Sequence, residues 1–251
     1  MERKKVFTAV VGSVVYNTND KNSDMDRKCY EFPTFDDLYK NKDWSKSYKT
    51  EEGDIEKHDI RKLPDMLFKS NINFMELLFS PYVDVGHVLY NELREIREDI
   101  ARMNLPYLFA ACQGMYARKG NDVRKQMILL DMPGADVRMI TKKIWKSIAT
   151  MYRISDMLIR YKENGFESFL KAIRYEDSEA ARKTILLFRE GNIDTSLMLE
   201  ATEKHNERSF EYQDDYRKQE VNERLNLKVR EIIQNAVEQQ IMFDLREDYG
   251  L

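Results

Sequence analysis

Two aspartates one residue apart, Asp24 and Asp26, are the residues whose types and spacing point most directly to chemistry. Side chains alternate along an extended strand, so we expect both carboxylates to project to one side of a strand, with Met25 behind them in the core. Two carboxylates directed at one point repel each other unless a cation lies between them. Hard, oxygen-preferring ions such as Mg²⁺ or Mn²⁺ suit such a pair and commonly bring phosphates with them. The spacing therefore predicts a metal and phosphate site.

An apolar strand and a tight turn are expected upstream of these carboxylates. The apolar run at residues 6–11 ends at Gly12 and Ser13. Glycine lets the backbone approach a phosphate closely, and the Ser13 hydroxyl and neighbouring N–H groups can donate to it. We therefore expect Gly12 and Ser13 to bind phosphate. Without such a turn, an Asp-x-Asp pair would indicate only a hairpin with an acidic end.

This arrangement, Gly-Ser followed after ten residues by Asp-x-Asp, resembles the start of the DNA polymerase β-like nucleotidyltransferases. The resemblance is closer to a branch associated with RNA repair, which carries Gly-Ser-x-x-Tyr and Ser-Asp-x-Asp. The matching residues are Gly12, Ser13, Tyr16, Ser23, Asp24 and Asp26. The resemblance implies that both aspartates bind metal ions and that the upstream residues form a nucleotide-binding turn. Asn17 replaces the usual glycine after the tyrosine, and because Asn tolerates positive φ we expect the turn to be retained.

The resembled architecture implies a third carboxylate on a neighbouring strand. Residues 54–58 alternate like a half-exposed strand, with Asp54, Glu56 and His58 on one face. Asp54 matches the family position, which precedes a Tyr or His and the Arg-Lys of a helix, so we predict Asp54 as the third metal ligand. Glu56 shares the face and is the competing candidate. A further alternative is that both are solvated strand carboxylates, and we expect His58 to be a packing or capping residue.

The remainder of the chain predicts an α+β protein. We expect an irregular aromatic segment at residues 27–50, helical segments within residues 59–79 and a short strand or loop at residues 82–88. Helices are predicted at residues 89–101, 107–118, 137–161, 166–175, 178–189, 194–213 and 221–245, with Gly120 among the residues that separate them. We therefore expect a small mixed-sheet module of the polymerase β-like nucleotidyltransferase type, residues 1–88, and a mainly helical module packed against it, residues 89–251.

Composition excludes several classes of protein. With 251 residues and 42% apolar content, the chain can bury a full core and is not expected to be disordered. There is no run of 18 apolar residues and no apolar signal-peptide core after the N-terminus, so we expect no membrane or secretory role and a cytoplasmic location. Cys29 and Cys112 lack metal-ligand spacing and are expected to be ordinary thiols.

The formal net charge of −3 hides an uneven distribution along the chain. Residues 118–174 contain 13 Lys and Arg against 6 Asp and Glu, a net of +7. Residues 175–251 contain 11 against 18, a net of −7. The basic part could face a polyanion such as RNA, which favours RNA slightly as a partner. The alternative is that solvated helix faces of opposite charge pair with each other.

One predicted helix in the basic region carries a regular cationic face. Within residues 140–161, Lys146, Arg153 and Arg160 recur every seven residues and so share a face. The resembled family has a Lys and an Arg seven apart on the corresponding helix, which match Lys146 and Arg153, although Thr150 replaces the usual His between them. The resemblance implies that Lys146 and Arg153 bind the β- and γ-phosphates, with Arg160 further from the site. A solvated basic face is the alternative.

These features together predict a nucleotidyltransferase that moves a nucleoside monophosphate from an NTP to an acceptor hydroxyl and releases pyrophosphate. Asp24, Asp26 and Asp54 are the predicted catalytic residues and the predicted ligands of Mg²⁺ or Mn²⁺. An RNA end is slightly favoured as the acceptor, and a protein or small molecule, as in toxin–antitoxin or antibiotic-modifying relatives, is the alternative. A nucleotide-binding module without activity is a third possibility, against which the retention of all three acids argues. The sequence indicates neither the base of the NTP nor the oligomeric state.

Overall fold

The computed structural model describes residues 2–20 and 23–249 and divides the chain into two compact units. The first unit comprises Met1–Val15, Asn19–Asn104 and Val221–Leu251, and the second comprises Tyr16–Thr18 and Leu105–Glu220. Among the described residues, no helix combines the length and the apolar character that a membrane crossing requires.

Within the described residues of the first unit, five strands form one mixed sheet. They are β1 (Lys5–Val10), β2 (Arg27–Glu31), β3 (Ser45–Lys49), β4 (Asp54–Asp59) and β5 (Val83–Val85), in the order β3-β4-β2-β1-β5. β2 and β4 run parallel, and the other neighbours are antiparallel. Val10 pairs with Arg27, which pairs with Ile55. The end of β1 and the starts of β2 and β4 therefore meet at one edge of the sheet.

The helices of the described residues follow in chain order, and the three longest lie after residue 104. They are α1 (Ser13–Tyr16), α2 (Phe35–Tyr39), α3 (Leu63–Phe68), α4 (Ile72–Met75), α5 (Leu89–Glu95), α6 (Arg97–Arg102), α7 (Leu105–Leu130), α8 (Val137–Glu163), α9 (Phe169–Ile173), α10 (Ala180–Glu190), α11 (Thr195–Glu211), α12 (Gln213–Arg217) and α13 (Glu223–Tyr249). Single 3₁₀ turns occupy Ile60–Lys62 and Glu76–Phe79.

Each unit has its own apolar core. In the first unit, the ring of Phe7 stacks on that of Tyr30 at 5.2 Å, and α13 packs against α3, α5 and α6 through buried residues that include Val229 and Ile233. In the second unit, α8 is the central helix and contacts α7, α9, α10 and α11. Its buried face includes Ile144, Ile148, Met151 and Leu158. The two cores explain why the chain separates into two units.

The α+β class is confirmed, with a mixed sheet followed by a mostly helical part. The prediction of an irregular segment at residues 27–50 was wrong, because β2, α2 and β3 lie there. Gly120 was expected to separate helices but lies inside α7. A glycine costs a helix roughly 1 kcal/mol relative to alanine, and the packing of α7 along α8, where Met151 lies beside Gly120, offsets it.

The compact units also differ from the predicted division at residues 88 and 89. α5, α6 and the distant α13 all belong to the unit that contains the sheet. Cys29 and Cys112 are buried and free, and burial raises the pKa of both thiols. A thiol with a raised pKa carries little of the reactive thiolate, which agrees with the prediction of ordinary thiols.

Candidate active site

The Asp24–Asp26 segment precedes β2 instead of lying within it, since β2 begins at Arg27. Its backbone nevertheless extends the pairing of the sheet. The Val11 N–H donates to the Asp26 carbonyl at 2.9 Å, and the Met25 N–H donates to the Glu52 carbonyl at 2.8 Å. The prediction that Met25 is in the core was wrong, because its side chain is 39% exposed. The two aspartates thus lie on a segment that precedes β2 and continues the backbone pairing at the edge of the sheet.

A glycine brings the start of β4 against this extension. Gly53 has φ of +148°, and a Cβ there would lie 2.7 Å from the carbonyl carbon of Met25. Only a residue without a side chain permits this approach. The next residue, Asp54, donates its backbone N–H to Oδ1 of Asp26 at 3.0 Å. The structure therefore places the Asp54 backbone beside the Asp26 carboxylate.

Glu56, the competing candidate for the third carboxylate, is already occupied. Its Oε2 accepts from Nζ of the buried Lys28 and lies 3.3 Å from Nε2 of His58. Burial raises the pKa of Glu56, but the hydrogen bonds and charges of Lys28 and His58 together outweigh burial, so the pKa of this carboxyl lies below its usual range. His58 is a packing residue, since Nδ1 lies 2.9 Å from Oγ of Ser45 and burial lowers the pKa of its imidazole. Asp54, by contrast, is exposed.

The Gly-Ser turn has the expected backbone. Gly12 has φ of +73°, and a Cβ there would meet no atom within 4 Å, so conformation and not crowding explains the glycine. Ser13 starts α1, and the Val15 N–H donates to the Gly12 carbonyl at 3.0 Å. Asn17 has φ of +58°, which confirms the expectation that this Asn adopts the positive φ of the turn.

The remaining predicted site residues lie in the second unit. The Arg153 guanidinium lies 3.7 Å from the centre of the Tyr16 ring, a cation–π contact. Lys146 is exposed on the same helix, α8. Tyr16, Lys146 and Arg153 thus belong to one unit, whereas Gly12, Ser13, Asp24, Asp26 and Asp54 belong to the other.

The donor set suits a hard divalent cation, because Asp24, Asp26 and Asp54 offer only carboxylate oxygens. In the positions that the structure gives them, however, residues 2–20 and 23–249 contain no group of three or more His, Cys, Asp or Glu side chains arranged to hold a metal ion. The assignment of these three aspartates as metal ligands therefore stays a prediction that the donor chemistry supports.

Sequence reasoning missed residues that position the site. Lysine is usually a surface residue, yet Lys28 is buried and paired with Glu56. Gly53 stands directly before Asp54, and that adjacency was the available signal for a close backbone approach. Tyr175 bonds to Tyr16 and Asn17 across more than 150 residues of sequence, and no local pattern predicts such a contact.

The N-terminal half of the sequence, which contains these motifs, matches a known protein family. The model of the RNA repair pathway DNA polymerase beta family matches residues 2–128, about half of the chain. The match includes the Gly-Ser turn, the Asp-x-Asp pair and the strand that begins at Asp54, and it confirms the resemblance predicted from them. No curated protein matches the sequence.

Proposed function

The chain belongs to the RNA repair pathway DNA polymerase beta family, and on that basis we propose that it is a metal-dependent nucleotidyltransferase acting on RNA. Membership supports a nucleotidyltransferase-like function in general. In the proposed reaction the oxygen of an acceptor hydroxyl bonds to the α-phosphorus of an NTP. The bond from that phosphorus to the bridging oxygen breaks, pyrophosphate leaves, and the proton of the hydroxyl passes to solvent.

The observation that carries this proposal is the hydrogen bond from the Asp54 N–H to the Asp26 carboxylate. Gly53 permits this bond because its lack of a side chain lets the start of β4 approach the Met25 backbone. It supports Asp54, in preference to Glu56, as the partner of the Asp-x-Asp pair. Asp24, Asp26 and Asp54 would hold Mg²⁺ or Mn²⁺. Such ions, when bound, lower the pKa of the attacking hydroxyl and balance the charge on the phosphates.

The proposal assigns the triphosphate to Gly12 and Ser13, whose turn supplies N–H groups and a hydroxyl. Lys146 and Arg153 are assigned to its β- and γ-phosphates by the family resemblance. The contact between Arg153 and Tyr16 supports this role for Arg153, because it ties the cation to the tyrosine of the Gly-Ser-x-x-Tyr turn. A guanidinium can then offer two donors to phosphate oxygens.

RNA is proposed as the acceptor for two reasons. The family takes its description from RNA repair, and residues 118–174 carry a net charge of +7 that suits a polyanion. A hydroxyl at an RNA end would supply the acceptor oxygen of the proposed reaction.

A labelling experiment tests the proposal. The protein is incubated with each α-labelled NTP, Mg²⁺ or Mn²⁺, and a mixture of total RNA and total protein, with Asp26→Asn as the inactive control. We expect label on RNA, lost after ribonuclease treatment and absent with Asp26→Asn. Label on protein or on a small molecule would contradict RNA as the acceptor, and no label with any NTP would contradict transferase activity.

A further inference from the structure

The segment Tyr16–Thr18, which follows the Gly-Ser turn, is held by the second unit. The backbone of Tyr175 bonds to it twice: the N–H donates to the Tyr16 carbonyl at 3.1 Å, and the carbonyl accepts from Nδ2 of Asn17 at 2.9 Å. Because α1 is a single helical turn from Ser13 to Tyr16, fixing Tyr16 restricts where Ser13 can lie. The geometry of the phosphate-binding turn therefore depends on Tyr175.

Two arginines of α10 add to this attachment. Nε of Arg182 donates to the Asn17 carbonyl at 2.7 Å, and Arg189 donates to the Thr18 carbonyl. The Asn17 amide also donates to Oδ1 of Asp177 at 3.0 Å. The residue with positive φ is thus bonded through both its side chain and its carbonyl, which fixes the strained end of the turn.

A buried carboxylate holds Tyr175 in turn. The Tyr175 hydroxyl donates to Oδ2 of Asp156 at 2.8 Å, and Oδ1 of Asp156 lies 2.9 Å from Nε2 of His205. Asp156 is 5% exposed, so both partners matter to it. Burial and the Asp156 carboxylate raise the pKa of Tyr175, which keeps the hydroxyl protonated as a donor. The Arg160 guanidinium lies 4.4 Å from the centre of the Tyr175 ring and donates to the Arg174 carbonyl at 3.0 Å. Arg160 therefore packs against this part of the unit.

We propose that Tyr175, held by Asp156, is a positioning residue for the nucleotide: it sets the phosphate-binding turn through Tyr16 and Asn17. This inference rests on the proposed function and adds a residue outside the matched part of the chain. α8 contributes at two points, because Arg153 lies over the Tyr16 ring and Asp156, one turn later, holds the Tyr175 hydroxyl. Tyr175 then acts on affinity for the triphosphate through the backbone of Tyr16 and Asn17.

The test compares nucleotide binding by Tyr175→Phe and Asn17→Gly with that of the unmodified chain. Tyr175→Phe removes only the hydroxyl that Asp156 anchors. Asn17→Gly keeps the positive φ but removes the amide. For each variant, calorimetric titration with the Mg²⁺ complexes of the four NTPs and of the matching NMPs gives Kd. We expect the Kd for NTP to rise about three- to tenfold, with a smaller change for NMP.

Controls separate positioning from stability. Tyr212→Phe removes another hydroxyl of the second unit, 3.4 Å from Oε1 of Glu163, and should leave the Kd unchanged. Asp156→Asn keeps an oxygen that accepts from Tyr175, so its Kd should stay within about twofold of the unmodified value. Melting temperatures of all variants are recorded, because a residue that serves stability alone lowers the melting temperature without changing the ratio of NTP to NMP affinity.

The outcomes are distinguishable. If the unmodified chain binds NTP and both variants bind it equally well, Tyr175 is only structural and this inference is overturned while the proposed function stands. If the unmodified chain binds no NTP, both are overturned. Should Tyr175→Phe fail to fold, Asn17→Gly alone decides by the same criterion.

Discussion

At the scale of single residues, the carboxylates of the first unit differ in what already binds them. Asp26 accepts a backbone N–H from Asp54, which fixes its position without neutralising its charge. Glu56 is paired with the buried ammonium of Lys28, which neutralises it. Asp26 is oriented and is not paired with a lysine in this way, so it can bind a metal cation. Moving Glu56 to a metal ion would leave the buried Lys28 ammonium unpaired, which lowers stability.

Asp26→Asn should fold normally but lose transfer. The amide can still accept the N–H of Asp54, so the edge of the sheet keeps its bond, while the negative charge opposite the metal is lost. A loss of several kcal/mol from a metal site corresponds to activity on the order of a thousandth or less. Label transfer at saturating Mg²⁺ measures this. Asp36→Asn, at an exposed aspartate of α2, is the matched control and should keep full activity. Full activity in Asp26→Asn would show that Asp26 does not belong to the catalytic site.

Asp54→Ala and Glu56→Ala should separate catalysis from stability. Asp54→Ala is expected to abolish transfer with little change in melting temperature, because its side chain is exposed. Glu56→Ala leaves Lys28 buried without its carboxylate, at a cost of roughly 1–3 kcal/mol in the free energy of unfolding, yet should retain transfer below the melting temperature. Thermal unfolding and label transfer, measured on the same samples, show which substitution affects catalysis and which affects stability. A transfer defect confined to Glu56→Ala would identify it as the third acid.

Local residue features of the site could be read from the sequence, and distant ones could not. The turn at Gly12 and Asn17 follows from the backbone preferences of the residues themselves, and both have the expected positive φ. The pairing of Glu56 with Lys28 depends on the register of β2 against β4, which no local pattern specifies. The attachment of Asn17 to Tyr175 joins residues 158 apart in the sequence, which no local pattern specifies.

At the scale of elements, the site is an edge where three strands end or begin. β1 and β4 were predictable from apolar or alternating residues. β2 was not, because this central strand carries Lys28 on a buried face, compensated by Glu56 of β4. β3 could not be recognised either, since all five of its residues are exposed and show no alternation of burial. Both strands are defined by their partners more than by their own composition.

Gly53→Ala should damage this edge. A Cβ at φ of +148° would press on the Met25 backbone at 2.7 Å, so β4 must move away from the Asp24–Asp26 segment. We expect a loss of roughly 1–3 kcal/mol in the free energy of unfolding. A displacement of about 1 Å between Asp26 and Asp54 would lower transfer on the order of a hundredfold.

Gly120→Ala is the matched control for this element. It lies inside α7, where the nearest atom to a new Cβ is Cε of Met151 at 3.6 Å, an ordinary contact. It should stabilise the protein by roughly 0.5–1 kcal/mol and leave transfer unchanged. Denaturant unfolding and label transfer measure both variants. Equal effects of the two substitutions would show that Gly53 has no special role at the edge.

At the scale of the whole molecule, the first unit is built from segments far apart in sequence. Residues 105–220 are inserted between Asn104 and Val221, and the Asn222 N–H donates to the Met103 carbonyl at 2.8 Å. The sequence predicted one boundary near residue 88 because the periodicity changes to helical there. Helical periodicity shows that α13 has an apolar face, but it does not show which core that face joins.

Residues 1–104 alone should therefore fail to fold cooperatively, whereas the same residues joined to 221–251 by a short Gly-Ser linker should fold. The linker can be short because the two chain ends are held together by the bond between Asn222 and Met103. α13 supplies buried Val229, Ile233 and Val237, and without them the surfaces of α3, α5 and α6 lose their apolar cover.

Circular dichroism during heating should show a sharp transition only for the joined polypeptide. Ile233→Asp in the joined polypeptide is the control and should remove the transition, because it places an unpaired carboxylate in the core. A cooperative transition of residues 1–104 at the temperature of the joined form would contradict the assignment of α13 to this unit.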